Sequence, residues 1–240
     1  MEVIVVKDYD AVSEKAFEVM KEVVTSKKAP VLGLATGSSP VGLYKNMIKD
    51  HEENGTSYAD VVTFNLDEYV GIDRNHEQSY WTFMHENLFK GIDIKEENVH
   101  VPYGNTKADC EAYEKAMEDY SVDIQVLGIG ANGHIGFNEP GTPFDEETHI
   151  VTLTEKTRQD NARFFEGDIN KVPTHAITMG IATIMKAKKI LMVATGENKA
   201  DAIKAMVEGE ISTDCPASVL QNHKDVVVIV DEAAASKLSK

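Results

Sequence analysis

The sequence predicts a doubly wound α/β fold, with a mainly parallel sheet and helices on both faces. Three observations carry that expectation. Short apolar runs of 5–7 residues recur along the chain, amphipathic stretches of helical period lie between them, and a cluster of small or polar turn residues follows most of the runs. Near-continuous apolar runs suit strands covered on both faces. Their alternation with helices suits parallel strand–helix–strand units.

The elements follow in order. The runs "VLGLA" (31–35), "VVTFNL" (61–66), "DIQVLGI" (123–129), "HAITMG" (175–180), "KILMVAT" (189–195) and "DVVVIVD" (225–231) are the expected strands. Val12, Ala16, Val19, Met20 and Val23 share one helical face, and Val41, Tyr44 and Ile48 share another. The same spacing groups Trp81, Met84, His85 and Leu88; Tyr113, Ala116, Met117 and Tyr120; and Ala200, Ile203 and Val207. No repeat or Pro/Gly/Ser linker divides the chain, so residues 1–240 are expected to form a single α/β domain.

Composition narrows the function. The 240 residues are 42% hydrophobic and 27% charged, which suits a globular chain. A formal net charge of -16 disfavours nucleic acid and anionic membranes as partners. It leaves room for a small anionic substrate held by a few well-placed cations and backbone N–H groups. No apolar run reaches the roughly 20 residues of a membrane span, and "MEVIVVKDYD" lacks the basic start of a leader peptide. Cys110 and Cys215 lie far apart without metal-ligand spacing and are expected to be reduced thiols of a cytoplasmic protein.

In a fold of this class, ligands sit beyond the carboxyl ends of the strands. The segments to examine are therefore "TGSSP", "DEY", "GANGHIGFNEP" and "TGENK". The third begins Gly128-x-Gly130-x-x-Gly133, the spacing of a dinucleotide-binding loop. Gly136 and Pro140 oppose the helix such a loop requires, which argues against a nicotinamide dehydrogenase. The glycines better suit a tight loop passing close to a small ligand, with His134 and Glu139 pointing into the site. Ser39 and Pro40 read as an N-cap and first-turn pair opening a helix at 40–49, with Thr36, Gly37 and Ser38 offering anion-binding groups ahead of it. Asp67 closes an apolar run, where partial burial would raise its pKa; alternatively it caps a following helix, which Gly71 opposes.

"LGLATGSSP", "FNLDEY", "GIGANGHIGFNEPGTPF", "ARFFEGDINKVPTHAITMG" and "TGENKA" occur in this order and together resemble the glucosamine-6-phosphate deaminase (isomerase) family over essentially the whole chain. The resemblance implies a modified Rossmann-like fold and conversion of glucosamine 6-phosphate and water to fructose 6-phosphate and ammonia. It implies neither cofactor nor metal. Asp67 matches the family's enolisation base, His134 its ring-opening base and Glu139 the carboxylate that orients that histidine. Asn132 stands where an aspartate is the commoner pattern; it is expected to keep the orienting role through its carbonyl oxygen and to leave His134 less readily protonated. Thr36, Gly37, Ser38, Arg163 and Lys199 match phosphate ligands, and about 153–176 matches an active-site lid that brings in Arg163 on closure. Glu68 is expected to be a structural or electrostatic neighbour.

Longer members carry basic residues after the "FNEP" loop and are activated by N-acetylglucosamine 6-phosphate. Here "DEETHIVTL" has His149 and Val151 and no Lys or Arg, so little such activation is expected, from a monomer or small homo-oligomer. A 6-phosphogluconolactonase shares similar loops and is separated by "GFNEP" and "NLDEY". A sugar-phosphate sensor without turnover is disfavoured by the joint presence of Asp67, His134 and Glu139.

Overall fold

The computed structural model describes residues 1–239. Its strands are β1 (Glu2–Val6), β2 (Val31–Leu34), β3 (Val62–Asn65), β4 (Asp67–Tyr69), β5 (Val99–His100), β6 (Ile124–Leu127), β7 (His149–Thr152), β8 (His175–Thr178), β9 (Lys189–Ala194) and β10 (Val226–Asp231). Its α-helices are α1 (Tyr9–Ser26), α2 (Val41–Asn54), α3 (Tyr80–Asn87), α4 (Lys107–Glu118), α5 (Glu155–Ala162), α6 (Ile181–Met185) and α7 (Ala200–Glu208).

Seven strands form one parallel sheet in the order β1-β10-β9-β6-β2-β3-β5. From β2 the chain steps one way to β3 and β5, then returns to the other side of β2 through β6. The direction of winding thus reverses between β2 and β6, where the loops beyond the strand ends diverge and leave a crevice. The central strands are apolar on both faces because helices cover both; Val228, Ile229 and Val230 are fully buried in β10. Sequence-local signals start the helices. Asp8 caps α1 through Ala11 N–H, Ser79 caps α3 through Thr82 N–H, and Thr106 with Asp109 forms a capping box on α4.

Two expectations are corrected and one strand is added. The run at 175–180 does not join the parallel sheet: β8 pairs antiparallel with β4 and β7 in a separate three-stranded sheet. Its apolar signature is that of a two-sided strand all the same, because Met179 joins the main core and Ala176 a second cluster with Tyr69, Phe137, Leu153 and Phe165. Secondly, Ser39 does not cap α2. Pro40 occupies the cap position with no side-chain bond, the helix begins at Val41 and runs to Asn54, and the Tyr9 hydroxyl accepts the first-turn Gly42 N–H at 2.9 Å. The added strand is β1, at the sheet edge, pairing in parallel with β10. Among the described residues no helix is long and apolar enough to cross a membrane, and Cys110 and Cys215 are both free thiols.

The sheet core carries the fold's stability. Ile229→Ala leaves a cavity in the middle of β10, so urea unfolding should show a loss of about 2–5 kcal/mol. The same change at half-buried Val151 should cost distinctly less.

Candidate active site

Because β9, β6, β2 and β3 are neighbours, the loops leaving their carboxyl ends are neighbours too. Those loops are 35–39, 66–67, 128–141 and 195–199, and they carry every expected site residue except Arg163. Contacts join them directly. A Cβ built on Gly128 would touch the Ser39 side chain at 3.7 Å, which places the β2 loop against the β6 loop. The Lys199 ammonium donates to the Ile129 carbonyl at 2.7 Å, tying the β9 loop to the same place. Asp67 lies across Gly136, whose added Cβ would be 3.7 Å from Asp67 Oδ2 and 3.0 Å from Thr178 Oγ1. Gly136 also has φ +56, so both conformation and space demand glycine there.

The 128–139 loop folds back on itself without forming a helix. Gly130 N–H donates to the His134 carbonyl and Gly133 N–H to the Gly130 carbonyl, both at 2.9 Å. The His134 ring lies against Gly130 so closely that a Cβ there would meet the ring at 2.1 Å. Asn138 is fully buried and staples the loop to the side sheet, its amide donating to the carbonyls of Ile135 and Met179 at 2.9 Å each. That role was not legible beforehand, because its partner on Met179 lies 41 residues away.

The hydrogen-bond pattern settles the histidine's tautomer. The Asn132 carbonyl oxygen accepts the His134 backbone N–H at 3.2 Å, which can only donate. The Asn132 amide donates to Glu139 Oε2 at 2.7 Å. With the amide so oriented, the ring Nδ1, 2.7 Å from the same Asn132 oxygen, must carry its proton. In the neutral ring this arrangement leaves Nε2 with the lone pair that a proton acceptor requires. Glu139 Oε2 also lies 3.6 Å from Nδ1, and Glu139 Oε1 accepts from the Thr157 hydroxyl at 3.2 Å.

The two carboxylates are driven apart in acidity. Asp67 is buried and no hydrogen bond reaches its side chain among the described residues, so desolvation, reinforced by the nearby Glu68 charge, pushes its pKa up to about 8. Burial acts on Glu139 in the same sense, but the nearby His134 ring and the hydrogen bonds from Asn132 and Thr157 outweigh it and hold its carboxyl below the usual range. Such divergence separates a proton-transferring group from a permanently charged one. Glu68 is structural: its carboxylate accepts the backbone N–H groups of Tyr69, Tyr80 and Trp81 at 2.9–3.0 Å, anchoring the start of α3 to β4. Burial nevertheless raises its pKa.

At the other end of the crevice, Thr36 is half-buried while Gly37 and Ser38 are exposed ahead of α2. The Tyr9 hydroxyl donates to the Ser38 carbonyl at 2.7 Å, and Tyr44 pins Ala35, holding this loop open toward solvent. Lys199 is half-buried, and desolvation lowers its pKa. Its Ile129 bond uses one of three donors and leaves two for an anion. Asp231 fixes the preceding Gly196 by accepting its N–H at 3.0 Å. Arg163, at the end of α5, is exposed and stacks on Phe164 with its guanidinium carbon 4.6 Å from the ring centroid; no hydrogen bond or ion pair holds it among the described residues. The structure thus gathers Thr36, Gly37, Ser38, Asp67, Asn132, His134, Glu139 and Lys199 and leaves Arg163 outside.

A desolvated carboxylate and a histidine engaged at Nδ1, both set against one glycine-rich loop at a reversal in strand order, are the groups of an α/β enzyme. The model of the family of glucosamine-6-phosphate isomerases and 6-phosphogluconolactonases matches residues 8–229, and the chain belongs to that family. It is 50% identical to a glucosamine-6-phosphate deaminase of Halalkalibacterium halodurans over 100% of this chain and 98% of the relative. It is 49% identical to glucosamine-6-phosphate deaminase 2 of Bacillus subtilis over 99% and 98%. Among solved structures, a monomeric glucosamine-6-phosphate deaminase superimposes with a TM-score of 0.95 at 44% identity, covering 98% of this chain and 99% of that one. The 6-phosphogluconolactonase of Trypanosoma brucei shares the fold, with a TM-score of 0.78 at 19% identity over 99% and 98%.

Two predictions follow from the acidities. Asp67 titrates near 3.9 in an unfolded chain and near 8 when folded. The folded state therefore holds the extra proton across that interval, and stability falls as pH rises through it. Asp67→Asn should melt higher than the parent above pH 8, by the equivalent of a few kcal/mol, with the gap closing toward pH 4; a gap independent of pH contradicts the assignment. Asn132→Asp sets two carboxylates where an amide now donates to Glu139, so they must share a proton. Carboxyl-carbon NMR of Glu139 should show its midpoint raised in that variant.

Proposed function

We propose that the protein is a glucosamine-6-phosphate deaminase, acting in the cytoplasm as a monomer or small homo-oligomer and built as a single α/β domain whose segment 153–176 closes as a lid. The observation that carries this reading is the pairing of a desolvated carboxylate, Asp67, with a histidine whose Nδ1 is engaged by Asn132 so that Nε2 is the free nitrogen, against Gly136 and Gly130 of one loop. Ring opening of an amino sugar and proton transfer between its first two carbons need these two groups and no redox partner.

The substrate phosphate is placed at Thr36, Gly37, Ser38 and Lys199, with Arg163 joining when the lid closes. A helix N-terminus and a half-buried ammonium suit a dianion, and Arg adds a forked contact that Lys cannot. The sugar then reaches across the crevice toward the β6 loop. His134 Nε2 takes the proton of the anomeric hydroxyl and delivers one to the ring oxygen. Glu139, acting through Asn132, stabilises the imidazolium that forms in between. The opened chain exposes an aldehyde at C1 and an amine at C2. Asp67 removes the C2 proton, the C–H pair forms the C1=C2 bond of an enolamine while the C1 oxygen takes a proton given up by the substrate's ammonium, and the same carboxyl returns its proton to C1. The resulting C2 imine adds water and expels ammonia, leaving fructose 6-phosphate.

The same fold serves lactone hydrolysis in relatives of about 19% identity, a likeness that extends to the fold alone. Hydrolysis of a lactone requires no base at C2, which is where Asp67 is assigned. The cytoplasmic assignment rests on the two free thiols. The low oligomeric state rests on the description of the superimposable structure as monomeric.

The test is direct. Purified protein given glucosamine 6-phosphate should release ammonia and fructose 6-phosphate in equal amounts, and should leave 6-phosphogluconolactone at its background rate. Asp67→Asn should lower kcat by about 10³-fold or more. Release of neither product, or lactone turnover in place of amino-sugar turnover, overturns the reading. Substrate curves should stay hyperbolic with and without N-acetylglucosamine 6-phosphate, because β7 offers His149 and Val151 in place of cations.

A further inference from the structure

We propose that Thr157 is a positioning residue for sugar-ring opening: its hydroxyl fixes the Glu139 carboxylate and, through Asn132, the ring of His134. The inference rests on the deaminase reading and adds to it a residue outside the motif loops.

Glu139 has two oxygens and each takes one side-chain donor. Oε2 accepts from the Asn132 amide at 2.7 Å and Oε1 from the Thr157 hydroxyl at 3.2 Å. Two donors on opposite oxygens fix the plane of a carboxylate. The terminal torsion of a glutamate is otherwise broad, so one donor alone leaves that plane free to turn. Turning it carries Oε2 away from Asn132, and the Asn132 oxygen is what holds His134 Nδ1–H at 2.7 Å. The chain of dependence therefore runs from Thr157 to Glu139, to Asn132, to the imidazole.

Thr157 is itself held. Thr154, the N-cap of α5, accepts the Thr157 N–H at 3.1 Å and donates its hydroxyl to Thr157 Oγ1 at 2.9 Å. With Thr154 supplying that proton, the Thr157 hydroxyl is free to direct its own at Glu139. One turn further along the same face of α5, the Asn161 amide donates to the Tyr69 hydroxyl at 2.9 Å. Tyr69 lies two residues beyond Asp67 on β4. A single face of a short, polar helix thus touches Glu139 itself and the strand that begins with Asp67. Ala162 is the one buried residue of α5, so the helix contributes little to the core and its polar face is available for this task.

The experiment uses the full-length protein labelled with nitrogen-15 at histidine, with the His134 resonances assigned from their loss in His134→Gln. The parent should show His134 as one tautomer, protonated at Nδ1. Thr157→Val keeps the side-chain shape and removes the hydroxyl. It should show His134 averaged between tautomers, with kcat for ammonia release lowered about tenfold and KM changed by less than threefold. Thr157→Ser should restore both the tautomer and kcat. The tautomer readout needs no turnover, so failure of the deaminase reading and failure of this one are distinguishable. Unmoved His134 resonances in Thr157→Val overturn the proposal, as does a change in either the tautomer or kcat without the other. So does a Thr157→Ser variant that behaves like the valine.

Discussion

Everything in the site depends on a carboxylate held out of water with no donor to comfort it. Asp67 sits where the chain quits the parallel sheet: Asn65 is the last residue of β3, Leu66 bonds back to Leu34 and forward to Met179, and β4 then enters the side sheet. That transfer between sheets pairs Asp67 with Thr178 of β8 and leaves its buried side chain against Gly136 of the β6 loop. The cost of the buried charge shows as a carboxyl pKa raised to about 8, which makes the ionised form a stronger base than an exposed aspartate. The consequence is a carboxyl able to take and return a proton near neutrality, which an exposed aspartate cannot do efficiently.

The neighbouring loop works by the opposite device. Glu139 is also half-buried, yet it is surrounded by donors and stays charged. Burial with hydrogen bonds gives a fixed anion; burial without them gives a reversible acid. The glycines of the loop allow the two to approach. Gly130 lets the imidazole lie on the backbone, and Gly136 lets Asp67 come within reach from the other side. Asn132 then decides which nitrogen of the imidazole is bare. As an amide it accepts from the ring and donates to Glu139 at once.

The segments were legible from residues alone, and for a physical reason: those that carry Asp67, Asn132, His134, Glu139 and Lys199 all follow apolar runs in a strand–helix alternation, where ligands gather. The individual roles expected of these residues came from the motif resemblance. What was not legible depends on contacts remote in sequence. The Tyr9 hydroxyl caps α2 from 33 residues away, displacing the expected role of Ser39. β8 imitates a parallel strand because two separate cores bury its two faces, so periodicity could not reveal its antiparallel partners. Helix α5, "EKTRQDNA", has almost no apolar face, and Thr157 within it gives no local sign that it faces Glu139. Arg163 was identified by its motif, but its placement depends on the position of the lid.

The most direct test of the central claim follows one hydrogen atom. Glucosamine 6-phosphate carrying deuterium at C2 is turned over in ordinary water, and the fructose 6-phosphate formed in the first few turnovers is examined at C1. A single buried carboxyl that removes and returns the same hydrogen predicts deuterium at C1 in a measurable fraction of the product. Product formed at full rate with no deuterium at C1 would contradict it, because the hydrogen would then have passed through solvent or through a second base.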